Sequence, residues 1–310
     1  MTSNSSSTVS SNSEKEQVLK QLDPEVYQLF DQYVHSQISR RQFLSQVGKY
    51  AIAGLTATGI LALLAPNYAH AIQVPISDER VKVAMIEYNS PQSGTKITAQ
   101  LSTPVAKEKT YPGVVVVHEN RGLNPYIADV GRRASVDGFI SIAPDALSPL
   151  GGYPGNDDDG RTMQRKRDRM DMLNEFIAAY EYLFNHPQCN GCIGVVGFCF
   201  GGWVSNMMAT RIPGLKAAVP FYGTQPTAEE TAKINAPLLV QYGDDDERVN
   251  SGWPDYEKAL KVHGKEYQVH FYANSKHGFH NDSTPRYNPE TAALAWQRTI
   301  EFFKKNLVQS

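Results

Sequence analysis

The segment Ile193-Gly194-Val195-Val196-Gly197-Phe198-Cys199-Phe200-Gly201-Gly202 constrains the fold of this chain more than any other. An apolar, β-branched run meets one reactive side chain and then a pair of glycines. A buried strand that turns abruptly into a helix presents a single side chain at the sheet edge, and small residues two before and two after it let strand and helix approach. Gly197 and Gly201 hold those places. The same turn aims the following backbone NH, that of Phe200, at the point where an oxyanion would develop. Such geometry suits attack of the Cys199 thiol on a carbonyl. The competing reading is a free cysteine packed as a small hydrophobe.

A thiol with an ordinary pKa of about 8.5 is mostly protonated at neutral pH, so catalysis needs a base. In the α/β-hydrolase arrangement an acid and then a histidine follow the nucleophile, each on a loop after a later strand. Pro237-Leu238-Leu239-Val240-Gln241-Tyr242 reads as a buried strand and runs into Gly243-Asp244-Asp245-Asp246-Glu247-Arg248-Val249. Gly243, Asp246 and Val249 fall three apart, as expected of a turn followed by a core anchor, which selects Asp246 and leaves Asp244 and Asp245 to solvent. The next strand, Tyr267 to Tyr272, precedes Ala273-Asn274-Ser275-Lys276-His277-Gly278-Phe279-His280. His277 stands at the position of the base, with Gly278 leaving room for its ring. His280 is the alternative, and reads as a local hydrogen-bonding residue.

Together with Val114-Val115-Val116-Val117-His118-Glu119 and Asn120-Arg121-Gly122-Leu123, these segments resemble the dienelactone hydrolase (carboxymethylenebutenolidase) family, over about Val81 to Leu307. The resemblance implies a Cys199, Asp246 and His277 triad, hydrolysis of an ester or lactone through an acyl-cysteine, and no cofactor. It also matches Glu119 to a family glutamate thought to contact the resting thiol. A negative neighbour disfavours the thiolate, so Glu119 is expected to gate the sulfur; the alternative is a polar strand-end residue in water. Asn120 is expected to offer the second oxyanion NH by analogy with related hydrolases. The family holds a substrate carboxylate with arginines. Here Arg286 lies further beyond the histidine than the family pattern requires, and Arg161 is loosely placed, so both also read as surface charges.

Short apolar strands alternate with helical stretches: Val114 to His118, Ile140 to Ala143, Ile193 to Gly197, Ala217 to Phe221, Leu238 to Tyr242 and Gln268 to Tyr272, with helices at 126–136, 168–184, 202–211, 255–262 and 290–306. That pattern predicts an α/β class, an α/β-hydrolase fold with a mainly parallel sheet flanked by helices on both faces. Val81 to Tyr88 and Ile97 to Thr103 read as an opening antiparallel hairpin.

Ser39-Arg40-Arg41-Gln42-Phe43-Leu44, the uncharged stretch Ala51 to Ala65 and Ala69-His70-Ala71 resemble the basic, apolar and small-residue parts of a twin-arginine export signal. The apolar part is shorter than the roughly twenty residues of a spanning helix. The expected organisation is a polar extension at 1–38, a signal at 39–71 cleaved after Ala71, and one hydrolase domain at 72–310. The implied partner is the twin-arginine export machinery and the implied location periplasmic, with a retained membrane anchor as the alternative. Residues 1 to about 15 are polar enough for disorder, and Asp23 to Phe30 suits a short amphipathic helix.

Thirty Lys and Arg against 32 Asp and Glu leave a net charge of −2 and no basic stripe, which disfavours nucleic acid as a partner. Gly151 to Gly160 reads as a loop; its aspartates lack the spacing of a calcium site, and no metal is expected. Cys189 and Cys192 form a Cys-Asn-Gly-Cys step that cannot by itself make a zinc site. They supply the rival function, a thiol redox or sensor protein on a hydrolase scaffold, using either that pair or Cys199.

Overall fold

The computed structural model describes residues 12–50, 55–105 and 108–308. Among them one eight-stranded sheet is formed by β1 (Val81–Ser90), β2 (Thr95–Pro104), β3 (Tyr111–Val117), β4 (Ile140–Pro144), β5 (Cys189–Phe198), β6 (Ala217–Phe221), β7 (Leu238–Asp245) and β8 (Tyr267–Lys276), in spatial order β1-β2-β4-β3-β5-β6-β7-β8. The first two strands are the expected hairpin, paired from Val81 against Pro104 to Ser90 against Thr95. Strand β2 also runs antiparallel to β4, and every later pairing is parallel.

The four valines of β3 show why a continuous apolar run makes a central strand here. Successive side chains point to opposite faces. Val115 and Val117 join one core with Phe176, Met207 and Leu260, whereas Val114 and Val116 join the other with Val130, Ile300 and Phe303. Helices Arg169–Phe184, Phe200–Arg211 and Trp253–Val262 cover the first face, and Pro125–Val136 and Pro289–Leu307 cover the second. This is the α/β-hydrolase architecture, with the strand ends and following loops left to carry chemistry.

The helices start where local chemistry tells them to. Asn124 Oδ1 accepts from the Ile127 NH at 3.1 Å, and Asp168 Oδ1 from the Met170 and Asp171 NH groups at 2.8 and 3.0 Å. One expectation is corrected. The segment 151–160 is not all loop, because helix Asp157–Gln164 begins inside it. Asn156 caps that helix through the Asp159 NH at 2.9 Å, and three aspartates in its first turn face the positive end of the helix dipole.

The chain divides into two compact units, Met1–Asn67 with Ser283–Pro285, and Tyr68–Asp282 with Arg286–Ser310. The sheet belongs to the second. In the first, helix Pro24–Val34 is capped by Asp23, and helix Arg40–Val47 opens on a Ser39–Gln42 capping box. Val26, Phe30, Phe43, Val47, Ile60 and Leu64 form its core. Of the apolar stretch 51–65, residues 51–54 lie outside the described residues, as do residues 1–11 of the polar extension. The rest includes the eight-residue helix Ala57–Leu64. Among the described residues no helix is long and apolar enough to cross a membrane.

Candidate active site

Cys199 sits between the end of β5 and helix Phe200–Arg211 with φ 56° and ψ −111°, a region that non-glycine residues rarely occupy. The surroundings enforce it. A Cβ at Gly197 would overlap the Gly201 carbonyl, and one at Gly201 would overlap the carbonyl of Val117. The Cys199 NH donates to Phe221 O at 3.1 Å, tying the turn to β6 as well. Because Gly201 presses on the end of β3, the start of the helix, where Phe200 lies, adjoins the segment that continues into Glu119 and Asn120. The first NH groups of any helix lack a carbonyl one full turn earlier in the same helix, and the first one here is that of Phe200.

Strand β7 delivers Asp246 and strand β8 delivers His277. Both are buried, 5% and 4% exposed, and Nδ1 of His277 donates to Asp246 Oδ2 at 2.6 Å. The Cys199 sulfur lies within 4.8 Å of a ring nitrogen of the same imidazole, close enough for its charge to act on the ring. Burial alone would lower the pKa of His277, but the Asp246 carboxylate and the Cys199 sulfur outweigh it and hold the ring up to about 10. The structure therefore brings these three residues, distant in sequence, to one place. Asp244 and Asp245 are exposed as expected, yet each has a structural task. Asp244 Oδ1 accepts from the Ser275 NH at 3.1 Å, and Asp245 pairs with Lys276. His280 lies elsewhere, with Nδ1 2.7 Å from the Tyr126 hydroxyl and its ring stacked on Phe198; burial keeps it neutral.

Glu119 is not a strand-end residue in water. It is 1% exposed, accepts from Asn281 Nδ2 at 2.8 Å and lies 3.9 Å from Arg121 Nε. Arg121 in turn pairs with Asp157 at 2.6 Å. The Asn120 side chain accepts from Arg121 Nε at 3.3 Å. Arg161 and Arg286 are likewise no ordinary surface charges, since both are 5% exposed. Arg161 pairs with Asp158 on its own helix, and the Arg286 guanidinium packs beneath Gly278, beside His277.

The cation packed on the imidazole escaped the sequence reading. Arg248 lays its guanidinium along the imidazole, with Nη2 3.1 Å from Nδ1 and 3.5 Å from Nε2 of His277. Its position two after Asp246 was the available signal. Tyr222, with φ 35°, sets its ring edge-on to His277 at 4.9 Å, and its buried hydroxyl has no hydrogen-bond partner among the described residues. Burial first, and then the fields of Glu119 and Cys199, keep that phenol protonated. Among the described residues no cysteine is in a disulfide, and burial raises the pKa of Cys189, opposite to what a reactive thiol requires.

The model of the dienelactone hydrolase family matches residues 97–307. The chain belongs to that family. A Synechocystis protein described as a putative carboxymethylenebutenolidase is 30% identical over 235 residues, covering 70% of this chain and 95% of the relative. A putative hydrolase fragment of Escherichia coli is 49% identical over 114 residues, 37% of this chain and 97% of the fragment. The fold matches a crystal structure of a putative dienelactone hydrolase from Klebsiella pneumoniae with a TM-score of 0.64 at 24% identity, over 72% of this chain and 99% of that one. A second model, described as YqhI-like, matches residues 14–49. As a dienelactone hydrolase family member, the protein is a hydrolase acting on ester or lactone bonds.

Proposed function

We propose that this hydrolase works by covalent catalysis through Cys199, His277 and Asp246. The observation that carries the reading is the buried 2.6 Å Asp246–His277 contact beside a thiol held in a strained turn. The thiolate attacks the carbonyl carbon of an ester or lactone, forming a C–S bond and a tetrahedral oxyanion. The NH groups of Phe200 and Asn120 receive that charge, each such donor being worth on the order of a hundredfold or more in rate. Collapse breaks the C–O bond, and the His277 imidazolium protonates the leaving oxygen; in a lactone the new hydroxyl stays on the same molecule. His277 then deprotonates water, which attacks the acyl-cysteine and expels the thiolate. Asp246 fixes the ring and supports its charge. Glu119 opposes the thiolate through its own charge, tempered by Arg121 and Asn281, and so sets how much of it is present before substrate arrives.

The test is hydrolysis of aryl esters and an unsaturated lactone acid by wild type and Cys199→Ala, with a thiol-alkylating agent as a second probe. Loss of all activity on substitution or alkylation, with substrate slowing the alkylation, is the expected result. Unchanged turnover after full alkylation of Cys199 sinks the mechanism. The redox alternative needs neither Asp246 nor His277, so substituting either would then leave thiol oxidation intact.

We propose as well that residues 39–71 direct export through the twin-arginine route, supported by Arg40-Arg41 ahead of an uncharged stretch. Fractionation of cells producing the full chain and an Arg40→Lys/Arg41→Lys variant tests this. Equal distribution of the two between compartments argues against it.

A further inference from the structure

A cavity of about 440 Å³ opens on the face of the sheet covered by helices Pro125–Val136 and Pro289–Leu307, within the unit that holds the sheet. Among the described residues that line it there is no member of the triad. Its volume falls in the range of small-molecule pockets. Trp296, Tyr287 and Ile300 supply apolar wall, and two buried polar side chains, Arg133 and His280, line it as well at 7% and 2% exposed.

Each of those two side chains keeps one nitrogen unspent. Arg133 commits Nε to Asp129 and Nη2 to Ala71 O and Asp282, and Nη1 has no hydrogen-bond partner among the described residues. The Tyr126 hydroxyl, held protonated by burial, donates to Nδ1 of His280 at 2.7 Å. Burial first, and then the Arg133 charge, keep the imidazole neutral, so its one proton sits on Nε2, which likewise has no partner among the described residues. The polar atoms that are both unbonded and sealed from water lie at other residues, so these two nitrogens reach the cavity. Their carriers are fixed in advance. Stacking on Phe198 at 5.1 Å holds the His280 ring, and Asp129 and Asp282 hold the guanidinium, so neither donor must be ordered when a ligand arrives. The two carboxylates of the lining already accept bonds, Asp137 from Trp296 Nε1 at 3.1 Å and Glu301 from Gln297 Nε2 at 2.8 Å. What the cavity offers in excess is donors beside an aromatic wall.

We infer that this cavity is a second binding site, taking a small aromatic carboxylate whose ring lies against Trp296 and whose oxygens accept from Arg133 Nη1 and His280 Nε2. Exposed Lys304, also in the lining, adds attraction for the anion. The inference is independent of how Cys199 acts.

The experiment titrates 2-naphthoate and the neutral 2-naphthamide into the full-length protein by calorimetry, using wild type, Ala293→Trp and His280→Phe. Ala293 is an exposed residue of the lining, so an indole there fills the space from the surface. Wild type should bind one naphthoate per chain, with the amide about tenfold weaker or more, because bonds to a charged acceptor are the stronger ones. Ala293→Trp should abolish binding. His280→Phe keeps a ring on Phe198 without the donor, and should weaken naphthoate about tenfold. If that variant does not fold, Ala293→Trp decides alone. No saturable binding to wild type, equal affinity for acid and amide, or unchanged binding by Ala293→Trp overturns the proposal, the last result by putting the ligand elsewhere, the triad included.

Discussion

Asp246 and Arg169 are both charged groups beside Cys199, and they are treated in opposite ways. Asp246 is buried, bonded to His277 at 2.6 Å and backed by the ends of β7 and β8. Arg169 stands exposed on an indole with its donors nearly unused. A charge that must orient a partner through every turnover gains from burial, since low dielectric strengthens the pair and fixes its geometry. One left facing water keeps its solvation instead. The contrast separates a committed charge from an uncommitted one, and each can be changed alone.

The largest effect is expected from Cys199→Ala, a loss of 10⁴-fold or more, on the order of what removal of a nucleophile costs in a triad. Steady-state hydrolysis of an aryl ester checks it. Next is Asp246→Asn, expected to lower kcat by about 10³- to 10⁴-fold while the chain stays folded. The same variant sharpens the electrostatic argument. The pKa of His277 is raised, so its charged form is favoured fully below its unfolded value of about 6.5, and that stabilisation is lost as pH rises through about 10. The alkaline limb of the wild-type rate profile should fall in that upper range, and Asp246→Asn should move it down. A limb that does not move removes Asp246 from the account.

Smaller effects probe the frame. Gly201→Ala forces a methyl against the Val117 carbonyl and should cost about 1–3 kcal/mol of stability, read from denaturant melts. Tyr222→Phe removes a buried hydroxyl that has no hydrogen-bond partner among the described residues, so stability should hold or rise slightly. Any fall in kcat would therefore report on the site itself. The smallest change is expected from Asp244→Ala, which loses one half-buried bond to Ser275 worth about 0.5–1.5 kcal/mol and leaves the rate unchanged. That null result, set against Asp246→Asn two residues away, is the sharpest form of the comparison.

What the sequence made legible was whatever local physics dictates. The valine run of β3, the glycines around Cys199 and the spacing from Gly243 to Val249 each encode a backbone requirement that one segment states alone. Helix Asp157–Gln164 was missed because glycine and aspartate suit a loop and a first helical turn equally well, and Asn156 as its cap decides between them. Asn281 on Glu119, 162 residues apart, and Arg169 on Trp203 depend on through-space approach that no local pattern encodes. The apolar residues 57–64 carry the opposite lesson. A run that suits an export signal also suits a short helix, and Ile60 and Leu64 lie in a core with Phe30 and Phe43.

The backbone at Cys199 belongs to the position rather than to the sulfur. Gly197, Gly201 and the bond to Phe221 O hold φ at 56° without any help from the side chain. The elbow is thus a socket in which the sulfur is a replaceable part. A Cys199→Ser chain should fold as before and inherit the same base and the same oxyanion donors, leaving the difference between thiol and alcohol chemistry open to direct measurement on one scaffold.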